Sequence, residues 1–222
     1  DVRSFKIANL LLDNPENEAV LEFTLMGPSL EFTSETIIAI TGGDFQPRVN
    51  KKPVKMYTAL YMHKGDVLDF AGCRTGSRGY IAFSSYLDIP VVMGSRSTNR
   101  RSLPYFLSRS LELDEFDYDE VTLRVVMGPQ EEVFTSAGRE TFLNSEYTVT
   151  SDFDRMGCRL EGPFIAYKTT ADIISDGIAF GSVQVPSHGK PIILLSDRQT
   201  TGGYAKIATV ISVDLPKLAQ CK

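Results

Sequence analysis

Ile192-Ile193-Leu194-Leu195 is an apolar run with a turn on each side: Ser187-His188-Gly189-Lys190-Pro191 before it, Ser196-Asp197-Arg198-Gln199-Thr200 after it. A run this short, bounded in this way, is too brief for a helix and fits a strand buried on both faces. Lys206 to Val213 reads as the next strand, and every side chain from Asp197 to Thr201 between the two is polar. Polar groups packed between buried strands collect at a rim, where partners must offset their desolvation. Gly202 and Gly203 close the stretch and permit backbone angles and close approaches that a side chain would forbid. The pattern fits either a solvated hairpin loop or a ligand site.

The rest of the chain repeats the same grammar. Short apolar runs at Ala19–Phe23, Leu30–Phe32, Thr36–Thr41, Val54–Tyr61, Val67–Phe70, Tyr80–Phe83 and Val121–Val126 alternate with glycine and proline turns. Helical spacing is confined to Ser4–Leu12, Gln130–Leu143 and Leu215–Gln220. These counts predict a mainly β protein with a few short helices. At 222 residues the chain is long enough for one large domain or two small ones. The acidic stretch Glu112–Tyr118 reads as a linker.

A net charge of -5 argues against nucleic acid or an anionic membrane as partner. No apolar run approaches the roughly 20 residues of a membrane span. Cys73, Cys158 and Cys221 are odd in number and widely spaced, which suggests reduced thiols and a cytoplasmic setting. The two histidines, His63 and His188, share no metal-ligand spacing with cysteines or carboxylates, so a bound metal is not expected. Neither a nucleophile elbow nor a phosphate-binding glycine loop occurs.

Three further loops carry candidate chemistry. Gly72-Cys73-Arg74-Thr75-Gly76-Ser77-Arg78 sets two arginines among small residues, and a guanidinium fork suits a carboxylate or phosphate. Gly94-Ser95-Arg96-Ser97-Thr98 places hydroxyls around an arginine, a second anion cradle. Asp154-Arg155-Met156-Gly157-Cys158-Arg159-Leu160-Glu161 alternates opposite charges; in a strand, Arg155, Arg159 and Glu161 would share one face. For each, a solvated turn held by its own ion pairs is the structural alternative. An activated-carbonyl reaction built from these groups would use Asp197 or Asp154 as base, with Arg155, Arg159 or Lys206 stabilising an oxyanion.

The string GSVQVPSHGKPIILLSDRQTTGGYAKIATV resembles the signature of a family known by three descriptions: the second allophanate hydrolase subunit, the biotin-dependent carboxyltransferase-like proteins, and the C subunit of 5-oxoprolinase. Thr41–Phe45, Gly72–Ala82, Gly94–Thr98, LRVVMGPQ and Asp154–Gly162 resemble further family motifs. Phe153 and Cys158 depart from the family's serine and aromatic residue. A family segment before residue 1, a glycine-rich segment near Asn99 and a final strand have no counterpart here.

The resemblance implies two cyclophilin-like β-barrel subdomains with a cleft between them, divided as residues 1–99 and 100–222. It implies an ATP-dependent 5-oxoprolinase, opening the lactam of 5-oxoproline to L-glutamate only in a heteromer with the A and B subunits. Asp197, Arg155, Arg159 and Lys206 are then the catalytic candidates. Gln184, Gln199, Thr201, Gly202, Gly203, Tyr204, Arg78, Ser95, Arg96 and Ser97 are the substrate-binding ones. ATP would serve at a site in the complex. Two alternatives stay open: a carboxyltransferase module acting on urea-like amides, the one reading that involves biotin, and a binding protein that antagonises a histidine-kinase inhibitor related to the B subunit.

Overall fold

The computed structural model describes residues 1–85, 87, 110–111 and 118–221. The chain divides into two compact units, Asp1–Val121 with Pro216–Lys222, and Thr122–Leu215. The division expected at residue 99/100 falls outside the described residues.

In the first unit, α1 (Val2–Leu10) is capped by Asp1, whose carboxylate accepts from the Ser4 amide at 3.0 Å. The strands are β1 (Leu21–Thr24), β2 (Leu30–Glu31), β3 (Thr36–Asp44), β4 (Pro47–Val49), β5 (Lys52–Pro53), β6 (Ala59–Met62), β7 (Val67–Phe70) and β8 (Thr75–Phe83). They form two sheets, in the orders β1-β8-β3-β6 and β2-β7-β4-β5.

Strand alternation explains how the layers stack. On β3 and β8, Ala39, Tyr80 and Ala82 pack with Ala8, Leu11 and Leu12 of the α1 region. Their neighbours Ile38, Ile40 and Ile81 point the other way, onto Phe32, which follows β2, and Leu68 of β7. Ala39 and Ala82 on the helix side let α1 lie close beside the buried Tyr80 ring, and branched residues fill the gap between the sheets. A bulge between Gly42 and Asp44 bends β3 where the chain leaves for β4. Gly42 sits there at φ +101°, and an added Cβ would lie 2.2 Å from the Arg78 carbonyl oxygen.

The second unit holds β9 (Val125–Met127), α2 (Ser136–Asn144), β10 (Thr148–Phe153), β11 (Gly157–Glu161), β12 (Asp172–Gly177), β13 (Ser182–Gln184), β14 (Ile192–Leu194), β15 (Thr201–Tyr204) and β16 (Lys206–Val210). Six strands pair as β10-β11-β14-β13-β16-β9, while β12 and β15 form a separate two-stranded ribbon. Helix α3 (Leu215–Gln220) then rejoins the first unit. Its buried Gln220 accepts from the Ser77 and Arg78 amides, both at 3.0 Å, and donates to the Arg78 carbonyl at 3.1 Å.

The mainly β architecture with few helices is as expected. The sheets are open rather than closed barrels, because no sheet among the described residues pairs its two edge strands. No helix among the described residues is long and apolar enough to cross a membrane.

Candidate functional site

The stretch from Ser196 to Tyr204 is not one loop. Its first half is a turn and its second half is β15, paired with β12 in the register Asp176↔Gly202 and Gly177↔Thr201. Gly202 and Gly203 therefore lie in a strand, and neither adopts a positive φ. Close approach is the role of Gly202 alone, since a Cβ on Gly203 would meet nothing nearer than 3.5 Å. A Cβ on Gly202 would lie 2.8 Å from Ile178 Cδ1 and 2.9 Å from each of the Gln184 and Gln199 side-chain nitrogens.

This ribbon meets two buried polar residues of the large sheet. Gln184 and Lys206 are 2% and 3% exposed and stand opposite each other on β13 and β16. Opposite residues in an antiparallel pair project from the same face. Gln184 Nε2 donates to the Tyr204 carbonyl at 3.3 Å. That contact orients the amide, and Gln184 Oε1 has no hydrogen-bond donor among the described residues. Lys206 Nζ donates to Asp176 Oδ2 at 3.0 Å. The same oxygen accepts from Gln130 Nε2 at 3.1 Å, while Gln130 Oε1 accepts from the Lys206 amide at 3.2 Å. An ammonium carries three N–H donors, and among the described residues only the bond to Asp176 uses one. The Asp176 carboxyl is held below its usual range, chiefly by Lys206, then by the Gly177 amide and Gln130.

A second cluster lies at the β10–β11 turn. Asp154 Oδ1 accepts from the Met156 and Gly157 amides at 2.7 and 3.0 Å, so Asp154 shapes the turn. Arg155 forks onto Asp197 through Nε and Nη2, at 2.8 and 3.2 Å. The Asp197 amide also donates to the Arg155 carbonyl at 2.8 Å. The pair is half-exposed, and Arg155 pulls the Asp197 carboxyl below its ordinary range. A carboxylate held ionised with both oxygens engaged is a weak proton acceptor, which counts against Asp197 as base.

The strand-face argument for Arg155 and Arg159 does not hold, because Arg155 lies in the turn and only Arg159 and Glu161 lie in β11. Glu161 pairs with Lys190 at 2.8 Å, and Arg159 is exposed with no carboxylate partner among the described residues.

Arg78 belongs to the first unit. It stands in β8 rather than in a loop, buried, with Nη1 donating to Thr24 Oγ1 at 2.7 Å and 3.9 Å from Glu22 Oε1. Thr201 and Tyr204 are exposed on the ribbon, and Gln199 is exposed on its turn. Ser95, Arg96 and Ser97 lie outside the described residues. Gln130 and Asp176 escaped the sequence reading. Each lies in a turn-like string with no chemical signature of its own; Gln130 closes the LRVVMGPQ string, and convergence on Lys206 is what marks both as site residues. Among the described residues, no three His, Cys, Asp or Glu side chains are grouped to hold a metal.

Known proteins share this arrangement of strands. The family described as carboxyltransferase domain, subdomain A and B, matches residues 1–105 and 104–222. The C subunit of 5-oxoprolinase from Escherichia coli strain K12 is 33% identical, covering 99% of this chain and 77% of that protein. Its namesake from Haemophilus influenzae is 31% identical, covering 100% and 78%. The urea amidolyase of Lachancea kluyveri is 28% identical over 100% of this chain but 14% of its own length. Among solved structures, TTHA0988 superposes with a TM-score of 0.89 at 27% identity; this chain is wholly covered and spans 47% of that one. The K. lactis urea amidolyase superposes with a TM-score of 0.85 at 25% identity, with 16% of its chain covered.

Proposed function

Because the chain belongs to the carboxyltransferase domain family, subdomains A and B, we propose that it is the C subunit of a 5-oxoprolinase. In this reading it opens the lactam of 5-oxoproline to L-glutamate at the expense of ATP, in a cytoplasmic complex with the A and B subunits. Two relatives bearing that name, similar along nearly the whole chain, support the reading. The observation that carries it is the pair of buried polar side chains with open valences, Lys206 and Gln184.

A lactam offers one carbonyl oxygen and one N–H. The Lys206 ammonium donates to the carbonyl oxygen and stabilises the negative charge that grows there as the carbon is attacked. Gln184 Oε1 accepts the lactam N–H and so orients the ring. Because both groups are buried, little solvent competes, and a preorganised donor in such a site is worth about 10²–10³ in rate. Asp197 remains ionised and, with Arg155, supplies a charged rim instead of a proton acceptor. Thr201, Gln199, Tyr204 and the Gly202–Gly203 backbone line the approach. ATP drives the ring opening in the complex; none of the steps assigned to this chain's residues runs through it.

Urea presents the same C=O and N–H groups as a lactam. Likeness to the urea amidolyases supports carboxyl transfer to such an amide as the second reading, with biotin as the carboxyl donor. The decisive experiment is to co-express the chain with the A and B subunits and measure ADP and glutamate with and without 5-oxoproline. Equal release of both, lost when this chain is omitted, is the expected result. A stable complex with no 5-oxoproline-dependent turnover, but with transfer of the carboxyl group from supplied carboxybiotin to urea, would replace the first reading with the second.

A further inference from the structure

Lys206 is the charged group that the proposed chemistry depends on, and its own burial works against it. An ammonium taken out of water loses hydration, and burial alone lowers a lysine's affinity for its proton. The Lys206 side chain is 4% exposed. Its opposite neighbour on β13, Gln184, is neutral. Gln130, which approaches from the segment after β9, is also neutral and bonds the Lys206 backbone. Among the described residues, the one charged side chain bonded to Nζ is Asp176, at 3.0 Å.

Asp176 is in turn firmly placed. Oδ2 accepts from both Lys206 and Gln130, and Oδ1 accepts from the Gly177 amide at 2.7 Å. The backbone of Asp176 lies opposite Gly202 in the ribbon, so the carboxylate is delivered by the same strand pair that carries the Thr201–Tyr204 stretch. Both its oxygens are engaged, which makes it a fixed anion and not a proton acceptor.

We propose that Asp176, braced by Gln130, is a positioning residue that keeps the buried Lys206 ammonium charged and fixes its orientation, leaving two N–H donors for a substrate oxygen. The ribbon then acts as a carrier of this counter-ion as well as a wall of the site. Displacement of β12 would withdraw the counter-ion from the buried ammonium, so the ribbon and the ammonium form one functional unit. The importance of the ammonium for turnover rests on the lactam-opening reading; the electrostatic coupling does not.

The test follows the proton on Lys206 directly, by ¹⁵Nζ NMR of the full chain labelled at lysine, with the Lys206 signal assigned through Lys206→Met. In Asp176→Asn, the Lys206 titration midpoint is expected to fall by at least one pH unit relative to the unaltered chain. Asp176→Glu should restore at least half of that shift. Coupling is reciprocal, so Lys206→Met should raise the titration midpoint of the Asp176 carboxyl, read by ¹³C NMR. This second measurement keeps the inference testable if Asp176→Asn does not fold.

An unchanged Lys206 midpoint in Asp176→Asn, or an unchanged Asp176 midpoint in Lys206→Met, would overturn the inference. In the assembled enzyme, Asp176→Asn should move the alkaline limb of the pH dependence of kcat downward by the same interval, with a smaller change in KM. A shifted Lys206 midpoint in a complex that never turns over 5-oxoproline would sink the lactam reading and leave this coupling standing.

Discussion

Single residues divide sharply by what holds them. Arg155 and Asp197 form a forked but half-exposed pair, and pairs of that kind contribute about 0–1 kcal/mol. Arg155→Ala should therefore lower unfolding stability by less than about 1 kcal/mol, read by urea denaturation. A loss of several kcal/mol would reveal an interaction beyond the ion pair. Lys206 is the opposite case, buried with one counter-ion among the described residues. Lys206→Met keeps the length of the side chain and removes the charge. It should leave a folded protein and reduce lactam turnover by about a hundredfold or more; wild-type turnover in the folded variant would remove Lys206 from the mechanism. The thiols give a third contrast. Burial pushes the Cys221 thiol up to about 11, and Cys158 is fully buried in β11. Only Cys73 is partly exposed, so a thiol reagent at about pH 7.5, below the usual thiol range, should label one cysteine in the native chain and all of them after denaturation.

Among the elements, the ribbon β12–β15 and helix α3 depend on different kinds of contact. The ribbon relies on the absence of a side chain at Gly202, where a Cβ would crowd Ile178, Gln184 and Gln199 at 2.8–2.9 Å. All three contacts are the far ends of flexible side chains that can turn aside, so Gly202→Ala should cost less than the about 1–3 kcal/mol of overpacking a rigid core. Faster amide exchange confined to β12 and β15 would accompany it, and uniform exchange across the unit would argue for a different origin. Helix α3 relies on one buried amide. Gln220 satisfies two backbone N–H groups and one carbonyl of β8. Replacing it with leucine removes these three hydrogen bonds, at about 1–3 kcal/mol for each buried group that finds no substitute. Stability loss in Gln220→Leu should thus exceed that of Arg155→Ala, measured in the same denaturant series.

For the molecule as a whole, charge sets the response to acid. The carboxyls of Asp66, Asp176 and Asp197 are all held below their usual range, by backbone and asparagine donors in the first case and by Lys206 and Arg155 in the others. A carboxyl whose folded pKa lies below its unfolded value stabilises the fold above the unfolded value, near about pH 4. That contribution disappears as pH falls through the folded values. Stability measured in urea should therefore be flat from about pH 7 to about 5 and decline below about 4. The decline should be shallower in Asp176→Asn and Asp197→Asn; equal slopes in both variants would mean other groups control acid unfolding.

Much of this protein was legible along the chain. Alternation and turn residues suffice to place β3 and β7, and the spacing in Ser4–Leu12 reveals α1, because those signals arise from contacts within a few residues. The stretch from Asp197 to Tyr204 also announced itself, since its polarity between apolar runs is a local property. What the chain could not display was how that stretch is used. Gly202 looked like a turn residue and proved to be a strand residue, since a missing Cβ serves either purpose and only a neighbouring strand distinguishes them. Arg78 looked like a loop anion binder, yet the sheet carries it inward onto Thr24. Gln130 and Asp176 meet Lys206 from 76 and 30 residues away, and no spacing rule connects such positions. Sequence alone determined the β character and the polar stretch, which follow from side-chain periodicity and local composition, and it carried the family through the resemblance of its motif strings. Tertiary structure alone decided which of those polar groups are buried together, because burial and the charge state it controls depend on strands that meet only when the sheet forms.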